Sequence, residues 1–181
     1  NDGVYGEELW RSDGTAAGTY MVKEVLPGNA SSMIAGITAN GGVIYFRAND
    51  GVHGSELWRS DGTEAGTYLV KEILAGLYGL QTDMFVAVGD LVYFSAPPLL
   101  FSSPKLWRTD GTAKGTYAIT PPGPPASFAP DSIHPGAGFL YLCNAEWGGQ
   151  AGLWRSDGSA IGTTFVAAVG WLTSAHVDDA V

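Results

Sequence analysis

Four acidic side chains sit in the same short word. Asp13-Gly14-Thr15 recurs as Asp61-Gly62-Thr63, Asp110-Gly111-Thr112 and Asp157-Gly158-Ser159. A carboxylate in such a loop can do one of two things. It can help hold calcium, which takes about six to eight oxygens. It can also accept backbone N–H groups two residues on, while Gly takes positive φ, and so close a tight turn. The alternation of acids that marks a calcium loop is absent, so a turn is the expected role. Loops such as 49–56 hold further oxygens, which leaves calcium as the one cofactor worth a test; otherwise none is expected.

An arginine precedes each aspartate by two residues: Arg11, Arg59, Arg108 and Arg155. Residues two apart on a strand share a face. Each Arg is therefore expected to pair with its Asp or to bond carbonyls of the adjacent repeat. One residue earlier stands Trp10, Trp58, Trp107 or Trp154. An indole at one strand position in every copy is expected to fill space in the core; a sugar-stacking platform is the rival use.

Other chemistry finds no constellation. His53, His134 and His176 fall at unrelated repeat positions, and no spacing joins two of them to Cys143 around zinc. There is no GxSxG, HExxH or phosphate-loop lysine motif. Glu7-Glu8 and Asp178-Asp179 read as solvated surface rather than paired catalytic carboxylates. The expectation is a protein that is not an enzyme.

The totals agree with a binding or structural module. Nine basic against eighteen acidic side chains give a net charge of −9, which disfavours phosphate backbones and so nucleic acid. A 45% hydrophobic composition excludes a disordered chain. One Cys excludes an internal disulfide framework, and no apolar run is long enough for a membrane span. The chain opens and stops mid-pattern and is read as part of something longer.

The elements that must position these residues repeat with them. The four tryptophans are spaced 48, 49 and 47 residues apart, and Tyr45, Tyr93 and Tyr141 keep a beat of 48. Leu9–Ser12 and Thr19–Lys23 are short apolar or β-branched runs bounded by Gly, a strand–turn–strand signal. Asn40-Gly41 between two apolar runs signals a hairpin, as does Gly89-Asp90 one copy later. Each unit therefore holds four strands: A near 35–39, B at 43–48, C at 7–12 and D at 19–25. Four antiparallel strands per repeat of this length make an all-β chain of β-propeller blades. The content is half a blade, three full blades and a linker, in units of about 1–48, 49–96, 97–144 and 145–181, forming one propeller domain or part of one.

Outside the repeat, Asn29-Ala30-Ser31 is an N-glycosylation triplet in a D-to-A loop. The Pro-rich stretch 121–130 cannot continue a ladder and reads as an extended loop. Trp147 and Trp171 stand off the repeat's tryptophan position and are the candidates for glycan stacking.

Glu8-Leu9-Trp10-Arg11-Ser12-Asp13-Gly14-Thr15 and Glu56–Thr63 resemble the ELWxxDGT-repeat proteins. Gly18-Thr19, Val22-Lys23 and the Gly42–Phe46 stretch resemble the rest of that repeat. The third copy replaces Glu by Lys105. The fourth replaces Glu by Gly152 and Thr by Ser159. The resemblance implies a secreted or surface-attached repeat protein, mostly bacterial, without an established enzymatic activity. The Ala- and Pro-rich departures look more like an algal extracellular protein, such as a component of a flagellar hair (mastigoneme). The leading expectation is a noncatalytic extracellular structural or adhesive module, a filament subunit for example. Its partners would be other protein subunits, copies of itself or cell-surface glycans. A lectin-like, glycan-binding propeller is the alternative.

Overall fold

The computed structural model describes residues 4–76, 79–122, 129–144 and 152–168. Regular structure there is entirely β, so no helix is long and apolar enough to cross a membrane. The strands are β1 (Leu9–Arg11), β2 (Tyr20–Lys23), β3 (Ala35–Asn40), β4 (Val43–Asn49), β5 (Ser55–Ser60), β6 (Tyr68–Lys71), β7 (Phe85–Val88), β8 (Leu91–Ala96), β9 (Lys105–Thr109), β10 (Tyr117–Ile119), β11 (Ser132–Pro135), β12 (Leu140–Asn144), β13 (Gly152–Ser156) and β14 (Thr164–Ala168). They form a two-stranded ribbon, β1-β2, and three four-stranded sheets ordered β3-β4-β5-β6, β7-β8-β9-β10 and β11-β12-β13-β14. That is half a blade and three full ones.

Local chemistry sets the turns. The β3–β4 connection is the two-residue loop Gly41-Gly42, with φ of 59° and 83°. Positive φ at both central residues is what a tight hairpin with the strands' own twist requires. The sequence suggested Asn40 as a central residue, but Asn40 is the last paired residue of β3, opposite Val43. A second glycine was available, so the turn moved one place along.

The blades are not flat ladders. A register shift falls between Leu9 and Trp10, between Leu57 and Trp58, and between Leu153 and Trp154. Such a bulge turns the strand locally and re-aims the side chain beside it. The β9–β10 pair runs in register through Leu106, Trp107 and Arg108.

The chain divides into two compact units. One holds residues up to Phe85 with the loop tip 111–113, and the other holds the remainder. In the first, Leu9, Val22, Val25, Phe46, Ala48 and Trp58 form a buried cluster, flanked by Ile34, Ile44 and Leu69. In the second, Tyr93, Leu106, Ile119, Ile133, Leu140, Leu142 and Trp154 do the same. Second and third strands of the full blades supply most of these residues.

Candidate functional site

Each repeated aspartate sits in a corner that closes on itself. Asp13 Oδ1 accepts from the Thr15 N–H (2.9 Å) and the Thr15 hydroxyl (2.7 Å). Thr15 Oγ1 accepts from Gly18 N (2.9 Å), and the Thr19 hydroxyl donates to Thr15 O (2.6 Å). The second copy repeats these four bonds at 2.9, 2.6, 3.0 and 2.7 Å. The fourth copy, with Ser159, repeats them at 2.8, 2.7, 2.9 and 2.6 Å.

A hydroxyl pair seven residues apart seals each corner: Ser12–Thr19, Ser60–Thr67, Thr109–Thr116 and Ser156–Thr163, at 2.6 to 2.7 Å. Thr19 has already given its proton to Thr15 O, so Ser12 must donate; its own oxygen accepts Gly14 N at 3.0 Å. Gly18, Gly66, Gly115 and Gly162 lie against the carboxylates of Asp13, Asp61, Asp110 and Asp157, where a Cβ would overlap them. The threonine or serine hydroxyl first, and its N–H second, hold Asp13, Asp61 and Asp157 below the usual carboxylate range. Among the described residues, no group of three or more His, Cys, Asp or Glu is placed to share a metal ion.

Two of the arginines reach past their own corners to the next repeat's turn glycine. Arg11 Nη1 donates to Gly62 O (3.3 Å) and Arg108 Nη1 to Gly158 O (3.4 Å). Arg59 Nη1 donates to Tyr68 Oη (3.1 Å), whose hydroxyl lies 3.5 Å from Gly111 O. Each guanidinium also lies over an aromatic ring. Arg11, Arg59 and Arg108 stand 5.4, 5.2 and 5.1 Å from the centroids of Tyr20, Tyr68 and Tyr117. Arg155, whose copy has Thr164 instead of tyrosine, stands 4.1 Å from Phe139. Tyr20, Tyr68 and Tyr117 are all exposed. A planar ring stiffened by a cation on one side can stack a flat or sugar-like ligand on the other.

Three of the repeated tryptophans are buried: Trp58 at 6% exposure, Trp107 at 7% and Trp154 at 4%. Trp107 Nε1 donates to Ala96 O (3.0 Å) and Trp154 Nε1 to Asn144 Oδ1 (3.2 Å). Trp10 departs from the expected core role and is 41% exposed. Among the described residues, β1 pairs with β2 alone. A further contact recurs at the turn glycines: Tyr45 Oη packs against Gly111, and Tyr93 Oη against Gly158, where a Cβ would collide with the hydroxyl.

One repeated role corrects the sequence reading, which put Glu8 on the solvated surface: its side chain is buried and hydrogen-bonded. Glu8 Oε2 accepts from Val25 N (2.7 Å) and Leu26 N (3.4 Å). Glu56 accepts from Ile73 N and Leu74 N, both at 2.9 Å. The motif's glutamate thus caps a loop 17 residues on. Burial pushes the fully buried Glu56 carboxyl up to about 7, against the pull of those two N–H groups. A signal was present in the third copy. Lys105 replaces the acceptor, and 17 residues on Pro122 has no N–H to donate. Both halves of the bond are lost together.

The remaining candidates scatter. Asn29 is exposed in the β2–β3 loop. Asp50 accepts from Val52 N and His53 N and contacts His53 Nδ1 at 2.7 Å, so the oxygens of that loop serve the loop itself. Trp147, Trp171, His176 and most of the Pro-rich stretch lie outside the described residues. Where the second copy joins its B and C strands by a polar loop, the third uses 97–104. Ser102 Oγ donates to Leu99 O (2.6 Å) there, and Leu99, Leu100 and Phe101 are exposed at the tip.

No protein-family model matches the chain, and no curated protein matches it. Among solved structures it is similar to TolB from Acinetobacter baumannii, a β-propeller protein. The two share 13% identity at a TM-score of 0.51, over 91% of this chain and 38% of that one. The likeness is one of fold. This chain has the β-propeller fold, and it spans well under half the length of that neighbour.

Proposed function

We propose that the chain is a noncatalytic extracellular or cell-surface module of the ELWxxDGT-repeat type, with a structural or adhesive role in an assembly of protein subunits. The observation that supports this is what the repeated residues do. Asp, Thr, Gly and Arg use their polar atoms on each other or on the next corner, with matching distances in separate blades. A motif reused in that way builds a scaffold whose outer loops are free to differ. Sedimentation velocity and negative-stain microscopy of the purified chain test the reading. Concentration-dependent association into regular assemblies is the expected result. A monomer at every concentration, or turnover of hydrolase substrates above background, would refute it.

The glycan-binding alternative draws on the exposed Tyr20, Tyr68 and Tyr117, each backed by an arginine. In this reading Tyr20→Ser, at an exposed ring backed by Arg11, weakens glycan-array binding with little change in the melting temperature. An array with no hits counts against it.

A further inference from the structure

The one glycosylation triplet of the chain, Asn29-Ala30-Ser31, falls where the fold has room for it. The other described asparagines are in use. Asn40 pairs with Val43 at the end of β3, and Asn49 Oδ1 accepts Gly51 N (2.7 Å). Asn144 is buried, with its Oδ1 on Trp154 Nε1 (3.2 Å). Asn29 is exposed, and its side-chain amide makes no hydrogen bond among the described residues.

Residues 27–30 form the apex of the β2–β3 loop, and all four are exposed. Both feet of that apex are anchored. On one side Glu24 Oε1 accepts Gly28 N (2.7 Å), and Glu8 Oε2 takes the N–H groups of Val25 and Leu26. On the other, Ser31 Oγ accepts Glu7 N (3.0 Å). The buried Ser32 donates its hydroxyl to Glu7 O (2.7 Å), and its carbonyl accepts Asn49 N (2.8 Å). Gly28, at a φ of 103°, supplies the turn between the feet.

The second copy keeps this frame and lacks the triplet. Gly76 N meets Glu72 Oε1 (3.4 Å) as Gly28 N meets Glu24. The residues 48 places on from the triplet are Leu77-Tyr78-Gly79. Gly79 lies against the Ser55 backbone, where a Cβ would overlap it. In the first copy Gly6 lies against the backbone of Ala30 and Ser31, and position 31 carries the hydroxyl that the triplet needs.

We infer that Asn29 is an N-glycan acceptor. In the transfer, Asn29 Nδ2 forms a bond to the anomeric carbon of a lipid-pyrophosphate-linked oligosaccharide. The bond from that carbon to the pyrophosphate oxygen breaks, the lipid pyrophosphate leaves with the electron pair, and Nδ2 gives up one proton. The Ser31 hydroxyl serves the transferase before the loop closes, because in the folded chain its oxygen is engaged by Glu7 N. The finished glycan then sits on an apex whose polar contacts it does not disturb. A bulky sugar stays in solvent. The β2–β3 loop therefore faces water in the assembly of subunits proposed above. The inference rests on that cell-surface reading.

The test secretes the 1–181 chain from insect cells and maps its peptides after glycosidase release in heavy-oxygen water, which turns a former glycan site into labelled Asp. The label is expected at Asn29. Asn29→Gln and Ser31→Ala should each lose it, and Ser31→Thr should keep it. The melting temperatures of the glycosylated chain and of Asn29→Gln should agree, and sedimentation velocity should show the same association for both. An unmodified Asn29 in a chain secreted beside glycosylated host proteins overturns the inference, as does a label that survives Ser31→Ala. Association seen in Asn29→Gln but abolished by the glycan overturns the placement of the loop in solvent. A glycosylated chain that stays monomeric, with Asn29→Gln monomeric too, keeps the acceptor site and refutes the assembly reading. An unmodified chain that associates does the reverse.

Discussion

The ribbon β1-β2 and the sheet β3–β6 contain almost the same fifteen-residue word, yet they fold into different surroundings. Their corners match to within 0.1 Å in all four bonds. Their tryptophans do not match, with 41% exposure in one and 6% in the other. The corner is therefore a product of local sequence. Burial of the indole is a product of the strands beside it, β4 above all, whose Phe46 pairs with Trp58.

The largest test of this contrast is truncation of each indole. Trp58→Ala should cost about 3–5 kcal/mol in denaturant unfolding, the usual loss for a buried aromatic. Trp10→Ala should cost less than about 1 kcal/mol, and equal costs would break the comparison. Alanine at the corner glycines should behave in the opposite way. Gly18→Ala and Gly66→Ala both push a methyl into an aspartate carboxylate. Each should lose about 1–3 kcal/mol by overpacking, and by similar amounts. A large difference between them would show that the corner is not autonomous.

Glu56→Gln is expected to be milder, at about 1 kcal/mol for a disturbed loop cap. It has a pH signature as well. The folded carboxyl titrates near 7 against 4.5 for the unfolded group, chiefly because it is desolvated. The folded state thus holds the proton more tightly, and stability falls as pH rises from about 4.5 to about 7. Glu56→Gln should flatten that slope, measurable as melting temperature against pH. The smallest effect belongs to Asp13→Asn and Asp61→Asn. Both carboxyls are held below 3.8, so their contribution is present above that value and fades as pH falls through the lowered one. Either change should blunt the acid end of the melting curve, and to the same extent.

Those contrasts also mark what could be read without coordinates. Strand order and the aspartyl turn were legible because Asn40-Gly41, Asp13-Gly14 and the alternation of tyrosine and tryptophan are short-range signals. The bulge beside Trp10 and Trp58 was not, since it depends on how two strands share one extra residue. The Glu56 cap was missed because its partners lie 17 residues away on backbone atoms, which no side-chain pattern announces. Only the paired change to Lys105 and Pro122 carried the information. Arginine was placed correctly only as an alternative between its own aspartate and a neighbouring carbonyl. Geometry supplied Gly62 and Gly158 as acceptors.

The hydroxyl clamp between Ser12 and Thr19, and its counterparts, spans just seven residues. A contact that near in the chain closes with little loop entropy, so each hairpin corner can seed its own blade before distant strands arrive. Duplicating or deleting one unit then leaves every other nucleus intact. A gene built this way can lengthen, shorten or let its outer loops diverge without relearning how to fold.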